Sequence, residues 1–457
     1  MPIADNVDVG KIINEAPFGR FQLMVTTLCG VIAMLDGFDA QSIAFVAPVI
    51  SREWALPASA FGPIFGAGML GLMLGAMAFG TAADKLGRRR TIIWSMLIFS
   101  VLNFATAYAN SFHSLLILRF LTGLGLGGAT PNIVALTAEY APARHRATLV
   151  NIMFCGFPLG STLGGFLGAK MIPMFGWQFV FYLGGVLPLL FLVGVVIWLP
   201  ESIRYLVGRG DQSPEIARIL SRVRPTAAYT AAAQFVIQEL KPVGFTVGHL
   251  FRDGRTLMTC LLWIAFFMNL LVMMFLVNWL PSLLRESGIP IETAIISTPI
   301  MNLGGVLGSV ALGILIDRLG PYGVLGTIYL VAAAAIYLAA QSGGNMAWFL
   351  PAVFVAGIGV VGGQNSMNAL AANLYPTMIR STGVGWAFGI GRIGAIVGPV
   401  VGGVLVASGW DTKSIILISA VPTVIASIAV FMLGATRSVA ATPSAVKSSD
   451  FRRVSTE

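Results

Sequence analysis

Residues 80–90 read Gly80-Thr81-Ala82-Ala83-Asp84-Lys85-Leu86-Gly87-Arg88-Arg89-Arg90, and residues 313–320 repeat the frame as Gly313-Ile314-Leu315-Ile316-Asp317-Arg318-Leu319-Gly320. Each copy follows a long apolar run and keeps a glycine, an acid and a second glycine at one spacing. The offset of 233 or 234 residues continues along the chain. It carries Gly123, Gly125, Gly128, Pro142 and Arg146 onto Gly357, Gly359, Gly362, Pro376 and Arg380. It carries Gly160, Gly164 and Gly168 onto Gly394, Gly398 and Gly402, and Gly176-Trp177 onto Gly409-Trp410. A near-constant offset over most of the chain marks a duplication. Such halves, placed around an axis along the membrane normal, are a transporter architecture.

Composition fixes the medium in which the halves fold. Of 457 residues, 56% are hydrophobic and 10% charged, against roughly 25% charged in a soluble domain. Stretches of about 20 apolar residues cross a bilayer as helices. They are expected near 22–48, 61–83, 91–109, 114–138, 147–171 and 178–199, then 259–282, 293–316, 322–341, 346–372, 381–407 and 413–434. The reading is an all-α membrane protein of twelve transmembrane helices in two pseudo-symmetric six-helix bundles. The expected boundaries are 1–199 for the first bundle, 200–257 for a cytoplasmic linker, 258–436 for the second bundle and 437–457 for a tail.

Charge placement predicts orientation. With the N-terminus cytoplasmic, the outer loops hold only Arg52, Lys170, Arg285 and Lys413, two arginines lie inside spans, and the other 22 of the 28 Lys/Arg face the cytoplasm. That bias satisfies the positive-inside rule and puts both termini in the cytoplasm. It also explains the net charge of +9 without a nucleic-acid partner. Cys29, Cys155 and Cys260 are scattered through apolar stretches and match no disulfide or metal spacing. His113, His145 and His249 sit in loops, so no metal, cofactor or enzymatic site is expected. The glycines of 123–128 lie inside a span with no strand before them, which rejects a dinucleotide loop. The first apolar run is too long for a cleaved signal peptide.

Ionisable residues inside spans are expensive and mark function by default. Asp36 and Asp39 in span 1 are three residues apart and share a helix face. A carboxylate that is neutral in one state and ionised in another suits proton coupling. Arg119 in span 4 lies at similar depth and could pair with either acid; a purely structural ion pair and snorkelling of Arg119 to the outer headgroups are the plain alternatives. Arg392, in Gly389-Ile390-Gly391-Arg392-Ile393-Gly394 of span 11, sits near mid-membrane. Its guanidinium suits a carboxylate ligand; a pair with Asp36, with Asp39 or with another helix is the alternative. Phe38 and Trp386 offer ring surfaces, and Gln364 and Asn365 offer amides, for a planar polar solute. At the inner ends, Gly80, Asp84, Gly87 and Arg88, with Asp317 and Arg380, read as gating positions. There Gly87 permits a tight turn and Asp84 can cap a helix or pair with an arginine. Glu139 reads as a gate or cap at the water interface.

The glycine–aspartate loop resembles the signature loop of the major facilitator superfamily. Asp36-Gly37-Phe38-Asp39 resembles the paired-aspartate signature of the aromatic acid:proton symporter family within it. The likeness continues in Arg119-Phe120-Leu121-Thr122-Gly123, Met153-Phe154-Cys155-Gly156-Phe157-Pro158, Leu199-Pro200-Glu201-Ser202, Tyr375-Pro376-Thr377 and Gly389–Ala395. It covers about 10–440 and implies the major facilitator fold. It also implies proton-coupled import of aromatic carboxylates such as 4-hydroxybenzoate or protocatechuate at the bacterial inner membrane, with no obligatory protein partner. By resemblance, Asp36 and Asp39 would be essential, and Arg119, Glu139, Arg380 and Arg392 important. A proton-coupled sugar or organic-ion porter and a drug exporter of the same superfamily are the competing expectations; span 5 reads Gly160-Ser161-Thr162-Leu163-Gly164 and lacks the Gly-Pro pair of drug–proton antiporters.

Overall fold

The computed structural model describes residues 6–210, 213–224, 234–236, 246–252, 255–342, 345–375 and 380–441. The spanning helices are α1 (Arg20–Glu53), α2 (Phe61–Leu86), α3 (Arg88–Thr106), α4 (Phe112–Tyr140), α5 (Thr148–Phe175) and α6 (Gln178–Trp198), then α7 (Thr256–Glu286), α8 (Ile291–Leu319), α9 (Pro321–Gln341), α10 (Met346–Ala371), α11 (Arg380–Ala407) and α12 (Thr412–Thr436). Eleven of them are long and apolar enough to cross a bilayer by themselves. The remaining one, α3, opens on Arg88-Arg89-Arg90 and carries Ser95, Ser100 and Asn103, yet packs against α4 and α6 in the same bundle.

Glycines make the duplication visible in the backbone. Gly87 and Gly320 end α2 and α8 with φ of +96° and +86°, and each starts the next helix directly. Gly176 and Gly409 form the second related pair, at +80° and +74°. A side chain at such φ is strained, so both halves keep glycine at their one-residue reversals. Within a bundle, glycine sets contact distance. A Cβ at Gly37 would strike the Phe157 backbone, one at Gly160 the Met34 carbonyl, and one at Gly357 the Met301 carbonyl. Small residues at helix crossings are how membrane helices approach closely without a hydrophobic driving force between them.

The bundles meet through α5 on α8, α2 on α11 and α1 on α7. The meeting points are Gly165 on Pro299, Gly62 on Gly403 and Phe65 on Trp279, all toward the face opposite the termini. Toward the face of the termini, a groove of about 580 Å³ between α1 and α5 is walled by the first bundle alone, from Phe18 and Leu23 to Met34, Ile152 and Leu159. The described state is closed on one face.

Segment 200–257 is more structured than its composition suggests. Helix Ile203–Arg209 and amphipathic helix Ser213–Val223 lie against the first bundle, the latter burying Ile216, Ile219, Leu220 and Val223. Strand Gln234–Val236 pairs in parallel with Asn6–Asp8, so the start of the chain straps this segment down. The helical spacing of Ile216, Ile219, Leu220 and Val223 was the signal for the second helix, which the reading of this stretch as a plain linker passed over; nothing in three residues could announce the strand.

Replacing Gly160 with Val should lower the melting temperature of the purified protein by several degrees and reduce its yield, because the α1–α5 crossing must open. Gly323→Ala, where a Cβ meets nothing within 4 Å and helix propensity improves, should leave both unchanged or raised.

Candidate functional site

The intramembrane charges separate into two groups. Arg119 of α4 reaches Asp39 of α1, with Nη1 3.5 Å from Oδ1. Its Nη2 donates to Asn103 Oδ1 at 2.8 Å and Thr106 Oγ1 at 2.9 Å on α3, and the guanidinium lies over the Phe181 ring of α6, 4.9 Å from its centroid. Asp39 is 1% exposed and Arg119 4%. Snorkelling is excluded by that burial: Arg119 is held from α1, α3 and α6 inside one bundle. The polar residues of α3 that supply this cage, Asn103 and Thr106, escaped the sequence reading; their signal was polarity inside an apolar span.

Asp36, one turn away and 2% exposed, does not join that pair. It accepts from Thr130 Oγ1 at 2.6 Å, and its Oδ1 is buried without a hydrogen-bond partner. The cation acting on it is Arg392 of α11, from the other bundle. Arg392 has no ion pair and donates no hydrogen bond among the described residues. Its neighbours Gly391 and Gly394 pack on Phe266 and Phe267 of α7, which brings α11 close and holds the arginine at that depth. Arg392 thus makes no ion pair with Asp36 or Asp39 among the described residues, but lies within electrostatic reach of Asp36.

A cavity of about 30 Å³ touches Asp39, Arg119 and Thr122 on one side and Asn278 of α7 on the other. It has room for a water molecule or two. The charged segment of α1 thus borders the bundle boundary on both of its acids.

The remaining expected positions fall as follows. Phe38 packs inside the first bundle against Gly164 and Gly184, so its ring is core in this structure and not a platform for solute. Trp386 is 43% exposed and stacks on Trp263 with centroids 5.8 Å apart, tying α11 to α7. Gln364 accepts from Asn269 of α7 at 2.8 Å and donates to Asn368 at 3.0 Å, while Asn365 donates to Ser309 of α8 at 2.9 Å. Those amides knit the second bundle beside a π-helical segment, Ile358–Gly362, whose Val360 carbonyl accepts from Asn269.

Of the positions expected to gate, Arg88 and Glu139 join an intra-bundle knot. Arg88 Nη1 lies 3.0 Å from Glu139 Oε1, Arg204 approaches the same oxygen at 3.9 Å, and Ser202 donates to Oε2 at 2.6 Å. Glu201 accepts from the Arg89 amide at 3.0 Å, and Tyr140 donates to the Glu201 carbonyl. The Gly87 reversal is thereby clasped to the end of α4 and to the segment after α6. Gly80 lies in α2 with open space beside it. The side chains of Asp84, Asp317 and Arg380 lie outside the described residues, and with them the expected pairing across the bundles.

Comparison with known proteins agrees with this geometry. Residues 29–388 match the model of the Major Facilitator Superfamily. A 4-hydroxybenzoate transporter of Pseudomonas putida is 40% identical over 94% of this chain and 97% of its own. A gallate transporter of Pseudomonas putida is 37% identical over 97% of this chain and 98% of its own. A benzoate transport protein of Acinetobacter baylyi is 31% identical, covering 93% and 92%. Among solved structures, a partially occluded inward-open form of the xylose transporter from E. coli superposes with a TM-score of 0.71 at 18% identity, over 90% of this chain and 97% of that one. That likeness carries the fold alone. The two six-helix bundles, the glycine reversals and the matches over nearly the full length make this chain a transporter of the major facilitator superfamily.

Proposed function

We propose that the chain imports aromatic carboxylates such as 4-hydroxybenzoate or protocatechuate together with protons, by alternating access, across the bacterial inner membrane with both termini cytoplasmic. In this reading 1–199 and 258–436 are the moving bundles, 200–257 travels with the first, and 437–457 is a tail. The observation that carries it is Arg392: a cation from one bundle that donates no hydrogen bond among the described residues, within electrostatic reach of an acid from the other that accepts from the Thr130 hydroxyl. The relatives' aromatic-acid substrates support the solute class, and the Lys/Arg bias supports the orientation.

Charge balance supplies the coupling. With no solute, ionised Asp36 compensates Arg392. With solute bound, its carboxylate takes the guanidinium fork, and Asp36 balances only if it carries a proton. Solute without proton leaves an extra negative charge, and proton without solute leaves Arg392 bare. An uncompensated charge closed off from water costs several kcal/mol, so only the empty and doubly loaded carriers switch readily. Asp39 and Arg119 compensate each other within one bundle and move as a unit. Their task is to hold α1 to α3, α4 and α6 while Asp36 titrates.

Asp36→Asn mimics the permanently protonated acid. It should abolish proton-driven accumulation of labelled 4-hydroxybenzoate in proteoliposomes yet retain solute counterflow; wild-type accumulation would remove Asp36 from the coupling. Asp39→Asn leaves Arg119 buried without a counter-charge and should lose accumulation and counterflow together. Arg392→Lys keeps the charge but not the fork, and should raise the half-saturation for 4-hydroxybenzoate by about tenfold at unchanged membrane levels. Uptake insensitive to a protonophore, or outward movement against the proton gradient, would contradict import by symport.

A further inference from the structure

The internal repeat relates two seams between the bundles, and their chemistry differs. On the seam of α2 with α11 and α7, Gly62 lies backbone to backbone with Gly403, and the Phe65 and Trp279 rings meet edge-on, 5.5 Å between centroids. On the seam of α5 with α8 and α1, Asn302 donates to Gln41 Oε1 at 3.0 Å and to Ser161 Oγ at 2.6 Å, and Ser161 donates to the same Gln41 oxygen. Gln41, Ser161 and Asn302 are all buried. The repeat offset carries Asn302 back to Met69, Ser161 on to Ala395 and Gln41 on to Met274 or Phe275. The positions that the repeat relates to these three are apolar, so the cross-bundle amide cluster is an addition peculiar to the α1–α5–α8 seam.

The two chemistries behave differently when the bundles part. Opening an apolar seam exposes surface at about 25 cal/mol per Å². A buried amide that opens exchanges its partner for water at little net loss, but closes only in register because it must regain its partner. Gln41 lies two residues beyond Asp39, on the same helix, and Ser42 donates to the Asp39 carbonyl at 2.7 Å. The acidic segment of α1 is thus tethered to α8 of the opposite bundle through one side chain.

We propose that Asn302 is a positioning residue of the transport cycle: it latches the α1–α5–α8 seam in register and releases it when that face opens. Its substitution shifts the resting population toward the state open on the face opposite the termini. The proposal concerns the position of the bundles, and its test needs no transported solute, so it stands or falls apart from the aromatic-acid reading.

The test uses Ile64→Cys as a reporter, in a chain whose Cys29, Cys155 and Cys260 are alanine. Ile64 is fully buried and lines the small cavity beside Asn278. Labelling is with a membrane-impermeant maleimide supplied on the face opposite the termini. Asn302→Leu should speed labelling roughly tenfold, the population shift for losing about 1.4 kcal/mol of hydrogen bonding. Ser161→Ala should speed it less, and Asn302→Gln, which keeps the amide, should return the rate toward the parent. If Asn302→Leu fails to reach the membrane, Ser161→Ala carries the comparison. Parent-like labelling in every variant present at parent levels overturns the proposal. So does faster labelling that tracks a lowered melting temperature, since that marks loosened packing and not a displaced resting state.

Discussion

A charge between membrane helices must keep a counter-charge, and the arrangement of this molecule follows from how it meets that demand twice in different ways. Arg119 and Asp39 satisfy it inside one bundle, with Asn103, Thr106 and the Phe181 ring completing the surroundings. Arg392 meets it across the boundary, through Asp36, and among the described residues its guanidinium makes no ion pair. The first arrangement suits a body that moves without changing; the second suits a place where ligands exchange. In the proposed cycle, a solute carboxylate together with a proton replaces Asp36 as the balancing partner.

The scaffold serves that boundary. Glycine reversals at Gly87 and Gly320 give each half the same abrupt turn between helices, and glycine crossings such as Gly160 on α1 make the bundles tight enough to move as bodies. The Arg88–Glu139–Ser202 and Arg89–Glu201 contacts fasten the first turn to the segment that follows α6. Together with the strap between Asn6–Asp8 and Gln234–Val236, they assign the connecting segment mechanically to the first bundle. The loop that was expected to gate is thus held within the first bundle through Gly87, Arg88 and Arg89.

Much of this was legible from residue order. Apolar length and the repeated Gly–Asp–Gly frame yield twelve helices in two halves, because the bilayer dictates helix length and duplication preserves spacing. Asp36, Asp39, Arg119 and Arg392 stood out because charge is rare inside spans. Which acid meets which arginine was not legible: Asp36 and Asp39 share a helix face, and a rotation of α1 by a fraction of a turn decides between Arg119 and Arg392. Phe38 looked like a solute platform for the same reason, since the sequence does not say that Gly164 and Gly184 leave a hollow for its ring. Gln41, Ser161 and Asn302 were invisible singly; they become a site only when three helices of two bundles converge.

The most direct test of the central claim separates the two components of the proton-motive force. If one proton on Asp36 offsets one aromatic monocarboxylate on Arg392, the loaded and empty carriers differ by no net charge. Proteoliposomes given a pH gradient with the voltage clamped at zero should then accumulate 4-hydroxybenzoate, and those given a potassium-diffusion voltage at equal pH should not. Accumulation driven by voltage alone would mean that net charge crosses with the solute, and the exchange of counter-charges between Asp36 and the carboxylate could not be the coupling step.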